Sequence, residues 1–65
     1  MINLEYRCEN FELKTEMVAK GYYRTVWRPV GGYWEEIMEY NTQQKAINGH
    51  YVQIARRRES MGMNE

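Results

Sequence analysis

The stretch Ile2-Asn3-Leu4-Glu5-Tyr6-Arg7-Cys8-Glu9-Asn10-Phe11-Glu12-Leu13-Lys14-Thr15-Glu16-Met17 decides the architecture. Ile2, Leu4, Tyr6 and Cys8 alternate with Asn3, Glu5 and Arg7, the two-residue period of a half-buried strand. From Phe11 the alternation continues on odd numbers instead, with Glu12, Lys14 and Glu16 between. A two-residue hairpin turn at Glu9-Asn10 produces such a change of parity, because the residues flanking the turn pair across the ladder and share a face. Pairing Cys8 with Phe11 then sets Arg7 opposite Glu12 and Glu5 opposite Lys14, two pairs of opposite charge. Glu-Asn lacks the Asn-Gly or Asp-Gly chemistry that tight hairpins favour. The competing reading is a helix from Phe11 to Lys20, with Asn10 as N-cap and Gly21 as the residue after its end. The charge pairing favours the strand.

Outward from this hairpin the remaining elements follow in order. Tyr22 to Arg28 is rich in β-branched and aromatic residues and reads as a strand, and Pro29-Val30-Gly31-Gly32 reads as a turn. Tyr33 to Tyr40 alternates as an antiparallel return strand, with Trp34, Met38 and Tyr40 expected to face a helix and Ile37 ambiguous. That helix starts at Thr42, or at Asn41 one residue earlier, each a suitable N-cap. At about 100° per residue, Ala46, Ile47, His50, Tyr51, Ile54 and the stem of Arg58 fall on one side, and Lys45, Asn48, Gly49, Val52 and Arg56 on the other. Arg56, Arg57 and Arg58 place positive charge beside the last carbonyls. Gly49 costs about 1 kcal/mol relative to alanine, so it either lies harmlessly on the wet side or admits a close approach by another backbone, a second copy of the chain included. The expected fold is α+β: a three- to four-stranded antiparallel meander packed by one C-terminal helix, with residues 1–59 as a single domain and residues 60–65 as a disordered tail.

A single domain of 65 residues buries only about 60% of the surface its unfolded chain exposes. Chains of this size often gain support from disulfides, a metal or a partner subunit. Cys8 is the only cysteine and His50 the only histidine, which excludes an internal disulfide and argues against a metal site. A homodimer is therefore expected, and nine aromatic residues supply more sticky area than one small core encloses. Formal charge is zero, which argues against a dedicated nucleic-acid binder. Without a membrane-spanning, signal or lipidation pattern, and with a lone free thiol, the expected location is the cytoplasm, that of the host cell if the gene is viral.

Catalytic chemistry has few candidates. Cys8 and His50 could form a nucleophile and base, although a buried thiol and a helix-face imidazole explain them as well. Strand alternation sends Glu36 to the face opposite Glu35 and Glu39, which leaves an acidic edge in place of a carboxylate dyad. No phosphate loop or zinc spacing occurs, so neither an enzyme nor a cofactor is expected. Tyr22, Arg24, Trp27, Arg28 and Tyr33 are the residue types that anchor interfaces, and with Glu35, Glu36 and Glu39 they form the expected protein-binding set. Arg56, Arg57 and Arg58 are the alternative, a phosphate-contacting end of the helix.

Tyr23-Arg24-Thr25-Val26-Trp27, a glycine turn, Tyr40-Asn41-Thr42 and Ala46-Ile47-Asn48-Gly49-His50 together resemble a class of small phage-encoded orphan proteins. In that class a Tyr-x-Thr-x-Val-aromatic strand precedes Tyr-x-Thr and a helix containing Ala-x-x-Gly-His. The match spans residues 22–58, and the Glu-rich hairpin before Tyr40 departs from the pattern. The resemblance implies a viral accessory protein that occupies a surface of a bacterial host defence complex, as anti-CRISPR proteins do. Steric occlusion by the central hairpin is the mechanism expected, with the glutamates imitating phosphates; Gly49 and His50 would be shared positions with a packing or dimer role.

Overall fold

In the computed structural model, which describes residues 2–62, the parity change at Glu9-Asn10 is a hairpin turn. The Cys8 amide donates to the Phe11 carbonyl at 3.0 Å. Strand β1 (Asn3–Arg7) pairs antiparallel with β2 (Phe11–Ala19), with Arg7 opposite Glu12 and Glu5 opposite Lys14. The helical reading of Phe11–Lys20 gives way because Phe11, Leu13 and Thr15 are all sealed, at 0%, 1% and 0% exposure, which an alternating backbone allows and a helix would not. Gly21, the glycine that would have followed that helix, adopts φ +75° in the β2–β3 turn.

Strand β3 (Tyr22–Pro29) pairs with β2, and β4 (Glu35–Tyr40) pairs with β3, giving an antiparallel sheet in the order β1-β2-β3-β4. Helix α1 (Gln43–Ser60) then crosses one face, packing mainly on β2 and β3. This is the expected α+β meander with four strands. Thr42 caps the helix by accepting from the Lys45 amide at 3.2 Å. At the other end the Met61 amide donates to the Arg57 carbonyl and the Gly62 amide to that of Glu59. The remainder of the expected tail, residues 63–65, lies outside the described residues.

Paired residues share a face, so Leu13 with Trp27, Thr15 with Thr25, and Met17 with Tyr23 all point toward α1. Phe11 stands at the centre, 5.7 Å from the Tyr6 ring and edge-on to Trp27 at 6.1 Å. Beneath the helix runs a polar chain. His50 Nδ1 lies 2.8 Å from the Thr15 hydroxyl, Thr15 lies 2.6 Å from Thr25, and Thr25 donates to the Tyr40 hydroxyl at 3.4 Å. Pairing these groups with one another offsets the cost of taking them out of water.

The helix is rotated from its expected setting. Ala46 and His50 are buried as expected, but Tyr51 is 60% exposed, its ring edge-on to that of His50. Gly49, expected on the wet side, packs against the Tyr40 ring of the same chain. Its neighbour is thus an aromatic side chain, where the expectation allowed a second backbone. The C-terminal half of the stripe is closed by arginines: the Arg57 guanidinium stacks 4.4 Å from the Trp27 ring centre, and Arg58 donates to the Tyr6 hydroxyl at 2.8 Å. Arg57→Ala is expected to lower stability by about 0.5–1 kcal/mol through loss of that cation–π contact, measured by chemical denaturation. Arg57→Lys should recover part of the loss.

One expectation for β4 is corrected. Trp34 lies before the strand and turns to the face opposite α1, where Lys14 Nζ and the Arg28 guanidinium flank its ring at 4.9 and 4.8 Å. Met38 pairs with Thr25 and so takes the helix side as expected, yet it remains 46% exposed. Only Tyr40 of the expected set is covered by the helix, through Gly49.

Candidate protein-binding surface

The sheet face turned away from α1 is a lattice of alternating charge. Arg24 directs Nε and Nη2 onto the same Glu16 oxygen, each at 2.9 Å, and reaches Glu36 with Nη1 at 3.7 Å. Arg28 meets both oxygens of Glu12 at 3.3 and 3.4 Å, with Arg7 on the far side of that carboxylate at 3.8 Å. The Glu16 hydrogen bond is the main reason the Arg24 guanidinium is held above its usual range. Val26, in the middle of this face, is 4% exposed. Its partner in the ladder is Lys14, so the stack of Trp34 with Lys14 and Arg28 accounts for its cover. A shallow cavity of about 170 Å³ beside the stack is lined by Glu5, Arg7, Glu12, Lys14 and Trp34 among others.

One bulge rearranges the acidic residues. Thr25 pairs with Met38 but Val26 pairs with Glu36, which leaves Ile37 as the extra residue. The expected separation of Glu36 from Glu39 is therefore wrong: both lie on the open face, opposite Val26 and Arg24, and Glu35, opposite Trp27, is the one sent to the helix side. The Glu36 carboxyl is raised above its usual value of 4.5, first by its hydrogen bond with Glu39 and then by desolvation and the Glu39 charge. Tyr22 donates to Glu39 at 3.3 Å, and desolvation followed by the two carboxylates raises its hydroxyl above 10.0.

Of the expected protein-binding set, Tyr22, Arg24, Arg28, Glu36 and Glu39 share the open face. Tyr33 stands in the β3–β4 connection at 93% exposure, beside Trp34 at 41% and Val30 at 62%. Trp27 and Glu35 lie on the opposite face, Trp27 beneath Arg57. Trp34 is the member that sequence reasoning missed; its position one residue before β4, between a turn and a strand, carried no signal of which face it would take.

The alternative basic site is divided. Arg56 is exposed, whereas Arg57 and Arg58 are half-buried and engaged with Trp27 and Tyr6. Cys8 and His50 do not meet: Cys8 donates to the Phe11 carbonyl at the turn. His50 bonds Thr15, whose β1 partner is Leu4, about 13 Å along the strand from Cys8. Among the described residues no group of three or more His, Cys, Asp or Glu could hold a metal ion, and no helix is long and apolar enough to cross a membrane. No protein-family model, curated protein or solved structure matches the chain.

Proposed function

We propose that this chain is a non-catalytic interaction protein of phage type, which binds a bacterial host defence complex and inhibits it by covering a working surface. The observation that carries the reading is the β3–β4 tip, where Val30, Tyr33 and Trp34 present exposed apolar area within five residues. Tyr and Trp beside arginine are the side chains that most often anchor interfaces. Trp34 is already held by Lys14 and Arg28 while remaining 41% exposed, so a partner that contacts its open part loses less side-chain entropy in ordering it. The class of target comes from the resemblance to small phage proteins. A nucleic-acid role for Arg56, Arg57 and Arg58 has less support, because two of the three already serve the fold.

The test is phage plating on bacteria that carry single defence systems and express the chain. Wild type is expected to raise plating efficiency against at least one system, and Tyr33→Ala with Trp34→Ala to weaken complex formation by about tenfold or more, equivalent to about 1.4 kcal/mol. Tyr33→Ala alone, at a side chain already in water, should leave unfolding stability within about 0.5 kcal/mol of wild type. No protection against any system tried, together with no stable complex on co-purification, would overturn the reading.

A further inference from the structure

The sheet order leaves β4 with one edge unpaired, and its only charges are negative: Glu35, Glu36 and Glu39 are exposed, and the strand holds no basic residue. Of these three glutamates only Glu36 has an ion-pair partner among the described residues, Arg24 at 3.7 Å, and that guanidinium is already committed to Glu16. The proximity of Glu36 to Glu39 leaves negative charge on this edge that the fold does not neutralise. On the other side of the strand Met38 is 46% exposed, and an open groove of about 490 Å³ straddles the edge at the end of β4, lined by Tyr22 and Glu39 from the open face and by Met38, Tyr40 and Lys45 from the helix side. The strand thus offers three things along one line: free backbone donors and acceptors, the Glu36 and Glu39 carboxylates toward the open face, and Met38 and Tyr40, after Glu35 at the strand's start, toward the helix side.

We infer that the β4 edge docks an extended segment of the partner protein by strand addition, and that the segment alternates basic and apolar residues. An added strand projects alternate side chains to opposite faces, so Lys or Arg would meet Glu36 and Glu39 while apolar residues would meet Met38 and the groove. A second copy of β4 is disfavoured as occupant, since its glutamates would stand against these. The β1 edge is a poorer dock, because Glu5 and Arg7 give it mixed charge. The inference rests on the protein-binding reading and adds the chemistry of the partner's segment.

The experiment titrates the full-length, isotope-labelled chain with a peptide of about ten residues alternating Lys and Val. Expected are amide shifts concentrated in residues 35–40, and binding weakened about tenfold or more by Glu36→Lys with Glu39→Lys, by grouping the lysines at one end of the peptide, or by N-methylating alternate peptide amides. N-methylation tests the backbone ladder, which charge attraction alone would not require. No binding, equal binding of the grouped peptide, shifts confined to α1 or β1, or β4 shifts that depend on the chain's own concentration would each overturn the inference. Phage protection that survives Glu36→Lys with Glu39→Lys would overturn edge docking and leave the protein-binding reading standing, whereas loss of protection on Tyr33→Ala with Trp34→Ala bears on that reading alone.

Discussion

Acidification from about pH 7.5 to about pH 5.5 is expected to destabilise the fold, with a slope that approaches about 1.4 kcal/mol per pH unit where one proton separates the folded from the unfolded chain. The group responsible is His50, 2% exposed, whose imidazole is held below its usual 6.5 by desolvation. Above that value both states are neutral there and nothing changes. Below it the unfolded chain takes up a proton that the folded chain refuses, so stability is lost until the folded value is reached and the slope vanishes. Glu36, raised above 4.5, contributes a slope of opposite sign at the acid end, and the comparison that isolates the histidine is therefore wild type against His50→Gln. Urea unfolding at a series of pH values should show the slope in wild type and its loss in the variant; equal profiles would mean that the imidazole protonates freely in place. Thr15→Val removes the hydroxyl that both His50 and Thr25 use and should cost about 1–3 kcal/mol at neutral pH, by leaving buried polar atoms without partners.

How far residues alone reveal this fold can be judged at particular positions. The first hairpin was legible because two independent patterns, apolar alternation and opposite-charge pairing, agreed on one register, and Arg7 opposite Glu12 is what the ladder contains. Gly21 was ambiguous because positive φ serves a helix end and a tight turn equally; the burial of Phe11, Leu13 and Thr15 decided between them. The rotation of α1 was not legible, because Gly49 and Arg57 join its covered side while Tyr51 is left outside, so apolar periodicity indicates a setting turned away from the true one.

At the candidate site the structure divides the expected set between the two faces of the sheet. Tyr22, Arg24 and Arg28 were expected to work together and do share a face. A single extra residue at Ile37 reversed the parity of the glutamates, and no local signal in Glu35-Glu36-Ile37-Met38-Glu39 announces a bulge. Trp34 was misplaced for a different reason: its position depends on Lys14 and Arg28, which belong to two other strands and are brought beside it only by the assembled sheet.

Gly49→Ala should destabilise the protein by about 1–2 kcal/mol, although helix propensity taken alone calls for a gain of about 1 kcal/mol. A methyl group at this position would overlap the Oη, Cζ and Cε1 atoms of Tyr40. A ring displaced from this position loses its hydrogen bond from Thr25 and opens the end of the polar chain that Thr15 and His50 continue. Space therefore outweighs propensity, and the sign of the effect belongs to Tyr40. In a Tyr40→Ala background the obstruction is gone, and Gly49→Ala should then stabilise the helix by about 1 kcal/mol, a coupling of about 2–3 kcal/mol across the cycle. Chemical denaturation of the four proteins measures it. A gain in both backgrounds would show that the ring moves at no cost and that the glycine is incidental; a loss in both would place the obstruction elsewhere in the helix packing. Reversal of sign would establish Tyr40 as the reason this helix carries a glycine, and with it the rotation that turns Tyr51 outward and His50 into the core.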